Sequence, residues 1–141
     1  MPDEKSLYEE AYPTKSSWAK RGIPESWGGS SGEYLVMKAL YELGYSGRFN
    51  YQYPLFGGRT ARGGTVVDFY IPELNLALMV QSLYFHWSKI EQLTNDRIIR
   101  SELEGAGIRV VFLDEEDIAN DAVYYVKDAI NGIDHSLLIS I

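Results

Sequence analysis

An apolar segment that contains a single acid, TVVDFYIP at residues 65–72, places the strongest constraint on the fold of this chain. Alternate side chains of a strand point to opposite faces, which predicts Val66, Asp68 and Tyr70 on one side and the intervening residues on the other. The turn PELN and a second apolar segment, LALMVQS, follow directly. The two segments predict a β-hairpin with one carboxylate, and a carboxylate among apolar neighbours needs water, a partner or a metal.

Hydrophobic spacing along the rest of the chain predicts an α/β fold. A helix at residues 30–43 has Val36, Leu40 and Leu43 on one face, and Gly44 ends it. A second helix at 89–104 is predicted to face inward through Ile90, Leu93, Ile98 and Leu103. The remaining predictions are strands at 51–56 and 108–114, a helix at 121–130 that Asn131-Gly132 ends, and a short terminal strand in SLLISI.

The length of 141 residues predicts one domain, at residues 30–141, preceded by an irregular arm at residues 1–29. The arm contains four aromatic residues between its charges, namely Tyr8, Tyr12, Trp18 and Trp27. Two interpretations stay open for these aromatics. They pack on the domain's own surface, or they bind a neighbouring protein subunit.

Composition narrows the classes of function. The sequence has no cysteine, so any metal must bind through oxygen or the two histidines. No run of about 18 consecutive apolar residues is present, and the start lacks a signal-peptide pattern, which predicts no membrane association and a cytoplasmic or virion-associated protein. The net charge of −7 disfavours broad adhesion to nucleic acid, although Arg59, Arg62 and Arg97 could form a local DNA-binding surface.

Four segments in order resemble the PD-(D/E)XK restriction-endonuclease-like superfamily, and within it the small proteins related to very-short-patch repair endonucleases. They are a helix carrying Glu33, the segment GGTVVDFYIP with Asp68, the segment VQSLYFHW, and NDRIIRSELEGAGIRVVFLDEEDI, and the resemblance spans residues 29–130. It implies a restriction-endonuclease-like core in which helices flank a central mixed β-sheet.

The resemblance also implies a metal-dependent site. Active members use an Asp and a Glu to hold Mg²⁺ or Mn²⁺, with a Lys two residues after the Glu. Those positions carry over to Asp68, Met79 and Gln81, so a metal-ligating carboxylate and a cationic side chain are both replaced. The candidate catalytic residues are therefore Asp68, Gln81, Glu33 and His86, with Asp68 and Glu33 as metal ligands.

Three of the four candidates also have a structural interpretation. Glu33 follows Ser30 by three residues, which fits a helix capping box as well as it fits a metal ligand. Gln81 could satisfy a hydrogen bond of the sheet or core, and His86 could pack among its aromatic neighbours.

Two functions follow, with the nuclease ranked first. The chain is a metal-dependent DNA endonuclease, encoded by a phage or mobile element. Alternatively, it is a catalytically inactive nuclease fold that serves assembly, for example of a phage particle, or nucleic-acid binding.

Overall fold

Four β-strands and three α-helices form the part of the chain that the computed structural model describes, which comprises residues 22–55, 65–81 and 90–135, with the backbone alone for 90–96. They follow the predicted order. Along the chain they are α1 (Ser31–Glu42), β1 (Asn50–Leu55), β2 (Thr65–Ile71), β3 (Leu76–Gln81), α2 (Ile90–Gly105), β4 (Arg109–Asp114) and α3 (Glu115–Ile130). The SLLISI segment lies outside the described residues.

The strands form one mixed sheet in the order β1-β2-β3-β4. β1 pairs with β2 and β2 with β3 in antiparallel fashion, while β3 pairs with β4 in parallel from Leu76↔Arg109 to Gln81↔Asp114. Parallel neighbours need a long crossover, and α2 lies in the segment between these two strands. The predicted α/β class, with helices around a mixed sheet, is confirmed.

Helix α1 begins and ends where the sequence indicates. Ser30 is its N-cap, and a capping box forms with Glu33. Gly44 follows the last turn with a φ of 91°, a left-handed conformation that glycine adopts without a steric penalty. Val36 and Leu40 are fully buried. This single apolar stripe explains how the helix can lie on one face of the sheet with its other side in water.

Apolar residues cover both faces of the sheet and form two cores. The first core joins α1 and α3 to the sheet, and the second joins α2 to it. Successive residues of β4 alternate between them: Val111 and Leu113 belong to the first core, and Val110 and Phe112 to the second. The helices therefore lie in layers on the two faces of the sheet.

The inward stripe of α2 differs from the prediction at one position. Ile98 is 50% exposed, whereas Ile99 packs against the second core together with Leu103. Residues four apart share a helix face, whereas residues five apart do not, so Ile99 and not Ile98 aligns with Leu103. The side chains of Ile90 and Leu93 lie outside the described residues.

The described end of the N-terminal arm packs on the domain. Ile23 is 3% exposed, and the Trp27 indole N–H donates a hydrogen bond to the Ser30 carbonyl at 2.8 Å. The Trp27 ring lies 5.3 Å from the Tyr34 ring and 5.4 Å from the Tyr51 ring, measured between centroids. For Trp27, packing on the chain's own surface is the interpretation that the structure bears out. Tyr8, Tyr12 and Trp18 lie outside the described residues.

Helix α3 begins earlier than predicted and contains a break at Asp121. It starts at Glu115, directly after β4, but Asp121 has an extended backbone with φ −158° and ψ 87°. The Asp121 carboxylate accepts a hydrogen bond from the Tyr124 backbone N–H at 3.1 Å. Asp121 thus caps the second half of the helix, which is the half that the sequence predicts.

We expect Asp121→Ala to lower the free energy of unfolding by about 1 kcal/mol, because it removes this cap. Asp121→Asn keeps a capping oxygen and should be nearly neutral. Denaturant unfolding of the three proteins measures the effect. An increase in stability for Asp121→Ala would contradict the break, because alanine stabilises the interior of a continuous helix.

Candidate active site

Asp68 lies where β2 and β3 separate. Their pairing runs from Ile71↔Leu76 only as far as Phe69↔Leu78. Beyond it, the Asp68 Oδ2 atom accepts the Val80 backbone N–H at 2.8 Å. Regular alternation predicts Val67 and Phe69 on the same face, but Val67 packs in the second core and Phe69 in the first. The side chains of β2 therefore change face at Asp68, and the predicted regular alternation along this strand is wrong. The physical reason for the change is the loss of regular pairing at Asp68.

Gln52 faces Asp68 from the neighbouring strand. It lies between the pairs Tyr51↔Phe69 and Tyr53↔Val67, and its φ of 53° is in the left-handed region. Its Nε2 atom donates to Asp68 Oδ1 at 3.4 Å and to Glu33 Oε2 at 3.0 Å. A left-handed conformation costs a non-glycine residue about 1 kcal/mol or more. This conformational cost falls at the residue whose side chain links the Glu33 and Asp68 carboxylates.

Glu33 forms the capping box that the sequence predicts, and its second carboxylate oxygen reaches the candidate site. Its Oε1 atom lies 3.5 Å from the Ser30 backbone N–H, and the Ser30 hydroxyl oxygen accepts the Glu33 N–H at 3.1 Å. Its Oε2 atom points away from the cap and accepts the Tyr51 hydroxyl at 2.6 Å as well as the Gln52 amide. Burial, followed by this hydrogen bond, raises the pKa of Tyr51 well above its usual range. Capping therefore does not exclude Glu33 from the site.

Glu115 is an acidic residue at this place that the sequence analysis missed. It is 7% exposed, and its Cγ would lie 2.7 Å from a Cβ built on Gly32, so it occupies space that only glycine leaves open. Burial raises the pKa of the Glu115 carboxyl to about 8, against a hydrogen bond from Ser30. Neighbouring carboxylates, among them Glu33 and Asp68, raise this pKa further. The sequence signal that could have identified Glu115 is its position directly after a buried parallel strand.

Gln81 and Met79 contact the interior. Gln81 is 4% exposed, and its Nε2 atom donates to Asp114 Oδ1 at 2.7 Å, which links the ends of β3 and β4. Met79 packs against the second core. The hydrogen-bonding alternative for Gln81 is thus present in the structure, and its catalytic role stays a prediction.

Of the remaining predicted site residues, the described part of the structure includes Arg97. Arg97 is exposed on α2, which packs on the opposite face of the sheet from α1. Arg59, Arg62 and His86 lie outside the described residues. Within those residues, no three or more histidine, aspartate or glutamate side chains are arranged so that they could hold a metal ion.

Comparison of the chain with protein-family models, with curated proteins and with solved structures finds no match. The α/β class and the mixed sheet therefore rest on the structure itself. In the described ranges, no helix has the length and apolar character needed to cross a bilayer.

We expect Glu115→Gln to change how stability depends on pH. The folded-state pKa of about 8 exceeds the ordinary glutamate value of 4.5, so the unfolded chain loses its proton first as the pH rises. Wild type should therefore lose stability between those two values, by up to roughly 5 kcal/mol. Glu115→Gln should remove most of this loss, so that the variant is relatively more stable at high pH. Thermal unfolding across this pH range measures the effect.

The matched control is Glu42→Gln, which removes an exposed carboxylate from α1 and should leave the pH dependence as in wild type. Parallel pH profiles for wild type and Glu115→Gln would contradict a proton held by Glu115 in the folded state.

The Gln81–Asp114 hydrogen bond predicts energetic coupling between these residues. We expect Gln81→Leu to reduce the free energy of unfolding by about 1 to 3 kcal/mol, because Asp114 is 2% exposed and loses a buried donor. In a double-mutant cycle with Asp114→Ala, the two effects should be clearly non-additive. Denaturant unfolding gives the four free energies, and additive losses would mean that the contact contributes nothing.

Proposed function

We propose that this chain is a metal-dependent nuclease of the PD-(D/E)XK type that hydrolyses phosphodiester bonds in DNA. One observation supports this most strongly. The Asp68 and Glu33 carboxylates meet on a single amide nitrogen, that of Gln52, where β2 and β3 separate. Two carboxylates from a helix and a strand converge without an opposing lysine or arginine in any described contact with Glu33.

The order of elements supports the same proposal. A helix precedes three antiparallel strands, and a second helix then leads to a strand parallel to the third. This arrangement agrees with the order on which the superfamily resemblance depends. It brings Glu33 and Asp68 together although they are far apart in the sequence.

The residues present fit a hard divalent cation in part. Carboxylate oxygens are the ligands that Mg²⁺ and Mn²⁺ prefer, and Asp68 and Glu33 supply them, whereas Met79 supplies none. When bound, such an ion polarises the scissile phosphate and makes bound water nucleophilic. The chain's own residues would orient these carboxylates: the Val80 N–H fixes Asp68, and the Tyr51 hydroxyl and the Ser30 cap fix Glu33.

The other candidate residues complete the proposal. Gln81 and His86 are proposed to assist catalysis, and Arg59, Arg62 and Arg97 to contact DNA phosphates. Arg59 and Arg62 belong by sequence to the segment 56–64 between β1 and β2, the two strands that carry Gln52 and Asp68.

A second candidate function is favoured by Gln81 and Met79. Gln81 is buried against Asp114, and the partly buried Met79 packs against the second core, so neither supplies the metal-binding carboxylate or the cationic side chain of active members. The chain would then be a nuclease fold retained for assembly, as in a phage particle, or for nucleic-acid binding. A protein partner would bind through the N-terminal arm, and Tyr8, Tyr12 and Trp18 are its proposed contacts, because Trp27 already packs on the domain.

Asp68→Asn is the decisive variant, because it keeps the size of the side chain and removes its charge. We expect Mn²⁺-dependent nicking of supercoiled plasmid by wild type and a loss of roughly 100-fold or more in Asp68→Asn. Glu42→Gln, the exposed-carboxylate control, should nick like wild type. Nicking that survives Asp68→Asn, or needs no metal, would overturn the proposed mechanism.

The same samples separate the second candidate. DNA binding that weakens steeply with salt, falls in Arg59→Ala/Arg62→Ala and is never accompanied by nicking would favour binding without cleavage. Absence of both activities, together with recovery of a cross-linked partner through residues 1–21, would favour assembly.

A further inference from the structure

Gln52 has a conformation that sheet pairing does not explain. It is exposed in the middle of β1, and its φ of 53° lies in the region that favours glycine. A glutamine at this position would ordinarily keep an extended backbone and turn its amide to water. The side chain instead reaches Glu33 on α1 and Asp68 on β2, so the two carboxylates account for the conformation.

An amide between two carboxylates acts in part as a cation does. The Gln52 NH₂ group has two N–H bonds, so one nitrogen can serve Glu33 Oε2 at 3.0 Å and Asp68 Oδ1 at 3.4 Å. It carries only a partial positive charge, whereas a divalent cation would balance both carboxylates. Because Gln52 is exposed, its amide can turn outward without crossing the core.

We propose that the Gln52 amide occupies the place of a divalent cation between Glu33 and Asp68 and keeps the site closed until a cation displaces it. The inference rests on the proposed function, since it takes Glu33 and Asp68 as the cation ligands. Gln52 is then a positioning residue that sets the affinity of the site for metal.

A second observation, independent of Gln52, points to a ligand at the same place. Glu115 is 7% exposed, and its Oε2 atom has no hydrogen-bond partner in the described chain. Its Cδ and Oε1 atoms would lie 3.0 Å from a Cβ built on Gly32, the residue before Glu33. A buried carboxyl oxygen without a donor is normally satisfied by water or an ion. A cation between Glu33 and Asp68 would reduce the repulsion between these two carboxylates.

Calorimetric titration of the full chain with Mn²⁺ tests the inference. Gln52→Gly removes the amide and relieves the left-handed backbone, and we expect its Mn²⁺ affinity to rise roughly 10- to 100-fold over wild type. Gln52→Glu keeps the size of the side chain and replaces the donor with a third carboxylate, so its affinity should rise at least as much. Asp68→Asn in the Gln52→Gly background should abolish the gain.

Asn75→Gly is the matched control. Asn75, with a φ of 49°, is the other non-glycine residue of the described chain in the left-handed region, and it lies in the turn before β3. Its Mn²⁺ affinity should equal that of wild type. Thermal unfolding without metal shows whether each variant folds. If Gln52→Gly does not fold, the Mn²⁺ affinity of Gln52→Glu decides the outcome.

The outcomes separate this inference from the proposed function. Equal Mn²⁺ affinity in wild type and both Gln52 variants, lost with Asp68→Asn, would overturn the closed site and leave the cation site standing. Tighter Mn²⁺ binding by the Gln52 variants without plasmid nicking would support the closed site and count against hydrolysis. Absence of Mn²⁺ binding in every variant would overturn both.

Discussion

The charge of Asp68 is the constraint on which the geometry around the site depends. A carboxylate in a strand that contributes to two apolar cores is costly unless hydrogen-bond donors surround it. β3 provides one donor, the Val80 backbone N–H, by giving up regular pairing with β2. β1 provides another through Gln52, at the cost of a left-handed backbone. Both irregularities of the sheet are therefore responses to the single half-buried carboxylate of Asp68.

A second group of polar residues stabilises the ends of β3 and β4. Gln81 and Asp114 face each other in the parallel ladder and form a hydrogen bond where the next residue, Glu115, begins α3. The side chain of Glu115 then lies against Gly32 in the first turn of α1. Acidic residues thus join the sheet to both helices of the first core, and the proton on Glu115 keeps one of them neutral.

Most of the fold could be predicted because each element has a local signal. Ser30 and Gly44 mark the ends of α1, and apolar runs mark β2 to β4. Gln52 and Glu115 could not be identified in this way. Their importance depends on contacts with Glu33 and Asp68, which come from other parts of the chain. The sequence predicts Ile98 to face inward and does not predict the first half of α3, before the break at Asp121, for a related reason. Packing decides between neighbouring positions that sequence patterns leave equivalent.

The alternation along β4 has a consequence for how the chain folds. Val111 and Leu113 belong to the first core, and Val110 and Phe112 belong to the second. Neither core is therefore complete while β4 is unpaired. Its partner β3 is distant in sequence, with 33 residues separating Gln81 from Asp114. Closure of that long loop must precede burial on both sides of the sheet. Late docking of β4 onto β3 would then make the two layers appear together, as a single cooperative unit, rather than one after the other.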